Sequence, residues 1–386
     1  MNSFTYKYPV TVYFGEKAAG KNLPDELAKT GKNVMLAYGG GSIKKNGVYD
    51  ELVGILKNEG KNIIEFTGIM SNPTYAKVQE GARLAVQNNI DFILAVGGGS
   101  VIDCCKIISA QAKLDTDIWE LEYTDRKQPS EFIPMGAVVT AFGTGAEMNN
   151  GAVITNEEKM MKTPLWGAFY DFAILDPGYT MTMPMKQVIS GSFDTLSHCM
   201  ETYFGTPREN NLSDEINEAV MRSVIKNIRE TLKNPDDRFV RSELIWAAAM
   251  GENGILKLGK ITDFQCHMLE HQLGAYTDCN HGQGLAVIHP VLYRHIYRNA
   301  VEQFAHFAET VWGVSPEGKT TEELALAGID ALADFIKEIG LPTTFADMNI
   351  PEDTDYNAIA DSTVLTGGCC RKLSREELLD ILKDCR

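Results

Sequence analysis

The texture of the chain changes once, near residue 184, and that change limits the folds open to it. Before it, short apolar runs at 34–38, 62–66, 92–96 and 135–139 read as strands, and helical periodicity at 48–58 and 75–88 separates the first three. This rhythm predicts βαβ units, hence a parallel sheet with helices on its faces. Residues 10–15 predict one more strand, at a sheet edge or in a contact between copies. Beyond Pro177 and Pro184 strand runs vanish, and long amphipathic patterns take over at 213–232, 238–258, 301–311, 320–339 and 375–382. A chain of 386 residues is also too long for one comfortable core. The expected organisation is an α/β domain over 1–184 and an all-helical domain over 185–386.

Two Gly-Gly-Gly-Ser tetrads, at 39–42 and 97–100, each directly follow a predicted strand. Glycine there lets the backbone approach a phosphate, and a helix over 101–112 would offer free N–H groups and a positive dipole end to a pyrophosphate. Two such turns at one carboxyl edge predict a dinucleotide site without the GxGxxG pattern. A third glycine-rich element, 140–147, brings Thr140 and Thr144, whose hydroxyls suit a ribose or the nicotinamide amide. Sites that prefer NAD(H) commonly place a carboxylate after a strand for the ribose 2′-hydroxyl. Here the position is Gly39, with Ser42, Lys44 and Lys45 close behind, which favours NADP(H) over NAD(H).

The chain has only 7 histidines, and His198, His267, His271 and His281 are four of them. Asp194 and His198 are four residues apart in a helical stretch, so one ion can bridge both, and His267 and His271 repeat the spacing. Three imidazoles and a carboxylate form an N/O set suited to Zn²⁺ or Fe²⁺ rather than a thiolate-type structural site. The 8 cysteines include no CxxC and read as reduced, mostly buried thiols; Cys266 and Cys279 flank the histidines, where a thiolate could join the ion. A net charge of −16 argues against nucleic-acid or anionic-membrane partners. No apolar run reaches membrane-spanning length and the first residues lack a signal-peptide core, so a cytoplasmic protein is expected.

In sum of motifs, the chain resembles the iron-containing (group III) alcohol dehydrogenases, and within them the butanol dehydrogenase-like, NADP(H)-linked branch. The resemblance runs through Tyr38-Gly-Gly-Gly-Ser-Ile-Lys-Lys-Asn-Gly-Val-Tyr49, Ala95-Val-Gly-Gly-Gly-Ser-Val-Ile-Asp103, Gly143-Thr-Gly-Ala-Glu-Met-Asn149, Ile174-Leu-Asp-Pro177, Asp194-x3-His198 and His267-x3-His271-x9-His281-Gly282. It implies a Rossmann-like N-terminal domain and a helical metal-binding domain in a dehydroquinate synthase-like architecture, with the active site in the cleft between them. It further implies Asp194, His198, His267 and His281 as ligands of Fe²⁺ or Zn²⁺, with His271 beside nicotinamide and substrate. Gly39, Gly40, Gly41 and Ser42 form the first turn, and Gly97, Gly98, Gly99, Ser100 and Asp103 match the pyrophosphate turn. Asn72, Thr140, Thr144, Asn149 and Lys162 match other cofactor contacts. The implied reaction interconverts primary aliphatic alcohols and aldehydes, running toward aldehyde reduction in the cell. The alternative is an NAD-dependent polyol dehydrogenase of glycerol type. A homodimer is expected from the extra N-terminal strand.

Overall fold

The structure is a computed structural model that describes residues 1–365 and 370–386; Cys369 therefore lies outside the described residues. The chain divides into two compact units, Lys7–Pro184 and Met185–Arg386, and Met1–Tyr6 belongs to the second. The Asn2 N–H donates to the Gly259 carbonyl at 3.1 Å. A boundary drawn on texture alone assigns these six residues to the first unit, because they contain no element to mark them.

The first unit is built on a six-stranded, wholly parallel sheet. Its strands are β1 (Thr11–Phe14), β2 (Asn33–Tyr38), β3 (Asn62–Phe66), β4 (Phe92–Gly97), β5 (Met135–Val139) and β8 (Phe172–Leu175), in the order β1-β8-β5-β4-β2-β3. β6 (Gly151–Asn156) and β7 (Met161–Trp166) form a separate antiparallel hairpin. Helices Ala18–Leu27, Val48–Asn58, Tyr75–Gln87 and Gly99–Gln111 complete the βαβ crossovers. β2 and β4 are buried almost throughout, as expected of strands covered on both faces. Both strands of the hairpin, β8 and the first helix escape the sequence reading. β7 contains Pro164, which argues against a strand and is tolerated here in a two-stranded hairpin. β8 is four residues long, and the first helix holds Gly20 and Pro24.

From β2 the chain moves outward to β3, then returns to the other side of β2 for β4 and onward to β5. The order therefore reverses between β2 and β4. In open α/β sheets that reversal opens a crevice at the carboxyl ends, where ligands bind. Both Gly-Gly-Gly-Ser turns emerge there.

The second unit is helical, with no strand among its described residues. Its main helices are Met185–Tyr203, Leu212–Lys233, Arg238–Glu252, Gln265–Thr277, His281–Ile296, Val301–Thr310, Thr321–Glu338 and Arg375–Asp384. Reciprocal capping boxes, Asn211 with Asp214, Thr320 with Glu323 and Ser374 with Glu377, fix three of the starts. The single helix expected over 238–258 stops at Glu252. Gly254 takes φ 87°, and a short 3₁₀ turn, Ile255–Lys257, follows. Phe204 stacks on Phe304 with centroids 4.1 Å apart and meets Tyr293 and Phe307 edge-on, an aromatic core beneath the histidine-bearing helices.

Candidate metal centre and cofactor turns

Within the second unit, the helix Met185–Tyr203 presents Asp194, His198 and Glu201 from successive turns of one face, as their spacing of four and seven dictates. The next contributor, Gln265–Thr277, presents His267, Glu270 and His271, and His281 is the first residue of its own helix. Two glycines let that last helix come close. A Cβ on Gly282 would lie 2.2 Å from the Ser190 carbonyl oxygen, and one on Gly284 would lie 2.8 Å from Glu270 Cγ.

The three imidazoles turn Nε2 toward one carboxylate oxygen. Asp194 Oδ1 is 3.4 Å from His281 Nε2, 3.5 Å from His267 Nε2 and 3.9 Å from His198 Nε2. His198 and His267 stack with ring centroids 4.4 Å apart. Asp194 Oδ1 and His267 Nε2 are buried and have no hydrogen-bond partner among the described residues. Leaving such atoms unsatisfied costs about 1–3 kcal/mol each. A divalent cation among an N₃O donor set removes that cost, and the set fits Zn²⁺ or Fe²⁺.

Behind the imidazoles stand carboxylates that the sequence reading missed. Glu201 accepts a short hydrogen bond from His267 Nδ1, and Glu270 accepts one from His281 Nδ1. Glu252 Oε1 lies 4.0 Å from His198 Nδ1, while its other oxygen accepts from Lys257 at 2.8 Å. Carboxylate–imidazole pairs of this kind orient metal-binding histidines and raise their basicity. Glu201 lies seven residues after Asp194 and Glu270 three after His267; an acid on the same helix face as a ligand was the available signal.

Charge and burial set the protonation of this cluster. Burial pushes the Asp194 carboxyl up, but the His198 and His281 imidazoles outweigh it and hold the group well below the usual carboxylate range. Burial drives His198 down to about 4 despite Asp194 and Glu252. For His267, Glu201 and Asp194 overcome burial and raise the ring to about 10. An ion held at His267 Nε2 must displace the proton kept there, so occupancy falls as pH falls.

His271 is 4% exposed, its ring stacked on His281 at 5.4 Å and edge-on to His267 at 5.9 Å. One of its ring nitrogens groups with Glu270 and His281, a set that shares His281 with the Asp194, His267 and His281 group. Cys266 is buried and groups with Glu201 and His289, its thiol raised well above its ordinary range by burial. Cys279 donates to Glu270 Oε1 at 3.8 Å. The part-buried ring of Phe264 lies 5.0 Å from that of His267 and 5.8 Å from that of His198, an apolar wall beside the imidazoles.

In the first unit, the predicted cofactor residues gather at the carboxyl ends of β2, β4 and β5. Gly97 accepts from the Thr140 N–H at 2.9 Å. The turn is tight because other loops press on it: a Cβ on Gly98 would meet Ala141 Cβ at 3.0 Å, and one on Gly99 would meet Thr144 Oγ1 at 2.3 Å. The helix begins at Gly99, two residues earlier than expected, with Gly98 as its uncapped start. Ser100 donates to the Ser71 carbonyl, next to the part-buried Asn72. Gly39 accepts from the Gly68 N–H at 3.2 Å; Gly40, Gly41 and Ser42 continue at the surface.

Other predicted contacts already have structural work. Asp103 accepts from the Val153 N–H at 2.9 Å and from Lys106 at 3.4 Å. Asn149 accepts from Lys106 at 3.0 Å. Lys162 is buried on β7, opposite Thr155. Tyr38 and Tyr49 donate to Glu65 and, with Lys44 at 3.4 Å, hold its carboxyl below the usual range.

The sequence profile described as "Iron-containing alcohol dehydrogenase" matches residues 9–177, and "Fe-containing alcohol dehydrogenase family, C-terminal" matches residues 188–385. A probable NADH-dependent butanol dehydrogenase of Bacillus subtilis is 39% identical, covering 99% of both chains. An NADPH-dependent aldehyde reductase of Escherichia coli is 35% identical, over 91% of this chain and 90% of that one. Among solved structures, an NADH-dependent butanol dehydrogenase from Thermotoga maritima superposes with a TM-score of 0.93 at 35% identity, covering 100% of this chain and 99% of that one. The chain belongs to the iron-containing alcohol dehydrogenase family and is a nicotinamide-dependent alcohol dehydrogenase.

Proposed function

We propose that the enzyme interconverts primary aliphatic alcohols and aldehydes, chiefly as an aldehyde reductase, using NADP(H) in preference to NAD(H). The observation behind the metal assignment is the convergence of three Nε2 atoms on Asp194 Oδ1. In this reading Asp194, His198, His267 and His281 hold Fe²⁺ or Zn²⁺, while the glycine turns of the first unit, together with Asn72, Asp103, Thr140, Thr144, Asn149 and Lys162, hold the nucleotide. When bound, the ion supplies Lewis acidity toward a carbonyl oxygen and the nicotinamide supplies the hydride. Asp194 contributes one negative charge to three imidazoles, so the site keeps net positive charge toward substrate. Phe264 favours an aliphatic chain and helps exclude water. His271, one turn after His267, hands a proton toward solvent.

The cofactor preference rests on Gly39 and on exposed Ser42, Lys44 and Lys45 beside it. A second reading, NADH, is favoured by Glu65, which engages Lys44 and sets negative charge near that turn; butanol dehydrogenases similar to this chain are named NADH-dependent. We further propose a cytoplasmic homodimer, with edge strand β1 as the pairing element. NADPH and NADH oxidation with C2 to C8 aldehydes, using metal-free, Fe²⁺-loaded and Zn²⁺-loaded protein, tests the reaction. His281→Ala should abolish turnover and metal occupancy while NADPH still binds; near-normal metal content in that variant would remove the ligand assignment.

A further inference from the structure

Glu201 is 1% exposed, and its carboxylate meets three donors at one place. It accepts from the Cys266 N–H at 2.7 Å, from the His267 N–H at 3.1 Å and from the His267 ring at Nδ1. The two backbone donors are among the first N–H groups of the helix Gln265–Thr277, which have no partner within their own helix. That helix has no side-chain cap of its own: Phe264 precedes it with φ 57° and makes no capping hydrogen bond. Glu201, from another helix, takes the place of the missing cap. The negative charge also lies where the helix dipole favours it.

The same carboxylate governs the ring. An ionised carboxylate can only accept, so the proton must lie on Nδ1 of His267. Nε2, 3.5 Å from Asp194 Oδ1, is then the nitrogen that gives up its proton when an ion binds and offers its lone pair to it. Glu270 acts on the His281 ring in the same way, and at that helix start Asn280 caps by accepting from the Gln283 N–H at 3.1 Å. Glu252 stands farther from His198 and is shared with Lys257. For His267, the carboxylate that holds the ring also caps the start of the helix that carries it.

We propose that Glu201 is a positioning residue that sets the tautomer of His267 and ties metal occupancy to the start of the helix Gln265–Thr277. The proposal rests on the ligand reading above and adds a residue outside it. Glu201→Gln keeps the shape but replaces one acceptor with a donor. Its single amide oxygen cannot serve both the Cys266 side and the ring side. If the NH₂ faces the ring, the proton moves to Nε2, where it blocks coordination.

The test compares parent, Glu201→Gln and His267→Ala by Zn²⁺ titration against a chromophoric chelator, with NADPH binding measured on the same samples. Glu201→Gln should weaken Zn²⁺ binding by about 10- to 100-fold and change NADPH affinity less than about twofold, since it touches only the second unit. Ring ¹⁵N NMR of the Zn²⁺-loaded parent should show the His267 proton on Nδ1. Parent-like Zn²⁺ affinity in Glu201→Gln overturns the proposal and leaves the ligand reading standing. Parent-like affinity in His267→Ala overturns both. A parent ring protonated at Nε2 overturns the tautomer assignment even if Glu201→Gln fails to fold.

Discussion

Gly39→Asp tests the cofactor reading in a way that separates charge from shape. A Cβ at this position would lie 3.1 Å from the Ile69 carbonyl oxygen and 3.9 Å from Val101 Cγ2, so the loop must give by a few tenths of an ångström. That strain is the same whichever nucleotide binds, and it cancels in the ratio of kcat/KM values. The charge does not cancel. A new carboxylate about 5 Å from a 2′-phosphate of charge near −2, at an effective dielectric of about 60, repels it by roughly 2 kcal/mol before salt screening. Against NADH the same carboxylate accepts from the ribose hydroxyls, a charge-assisted bond of about 1.5–3 kcal/mol where geometry is good. Even half of this sum exceeds 1.4 kcal/mol, so the NADPH-to-NADH ratio should fall at least about tenfold. Gly39→Ala is the control, expected to lower both activities alike. Steady-state kinetics with both cofactors in three proteins decides it. An Ala variant that shifts the ratio as far as Asp, or an Asp variant that shifts it less than twofold, refutes the electrostatic argument; a parent that already prefers NADH refutes the NADP(H) preference.

The parallel sheet was legible because its central strands β2, β4 and β5 are buried on both faces, which leaves continuous apolar runs such as 34–38 and 92–96 between clear helical periods. β8 and the hairpin were not. Phe172–Leu175 is too short to outweigh its surroundings, and Pro164 contradicts the strand pattern that a two-stranded hairpin can nonetheless tolerate. The break after Glu252 depends on Gly254 at positive φ, and a lone glycine near the end of a periodic stretch gives only a weak signal. The histidines and Asp194 stood out because spacing of four on a helix is a one-dimensional trace of one face. Glu201, Glu252 and Glu270 left a fainter trace. Acids are common in helices, and only the packing of four helices reveals that these three back the imidazoles rather than face water. The same holds for Asp103: its bond to Lys106 stays within one helix, but its bond to the Val153 N–H reaches a hairpin the sequence did not disclose.

Three further outcomes follow from the geometry. Gly99→Ala drives a Cβ to 2.3 Å from Thr144 Oγ1; it should weaken NADPH and NADH alike by about tenfold or more, at about 1.4 kcal/mol per tenfold, measured by fluorescence titration, and unchanged affinity would show that the turn does not hold the nucleotide. His271→Ala should keep metal content and NADPH affinity but lower kcat by about 100-fold and remove a near-neutral ionisation from the pH–rate profile; an unaltered profile would leave the residue a packing role, and lost metal would show it to be a ligand. Glu147, 4% exposed at the end of the third glycine-rich element, has its carboxyl raised by burial to about 7. In the unfolded chain the group ionises near its ordinary 4.5. Below that pH both states hold the proton and folding pays nothing; as pH rises from 4.5 to 7 the unfolded chain releases a proton the folded one retains, so stability falls and then levels off. At 1.36 kcal/mol per unit the loss approaches about 3 kcal/mol by pH 8. Glu147→Gln imitates the protonated acid at every pH, so its melting temperature should match the parent near pH 4.5 and exceed it increasingly toward pH 8. A constant difference across that range would mean that Glu147 is ionised in the folded protein, paired strongly enough to offset its burial.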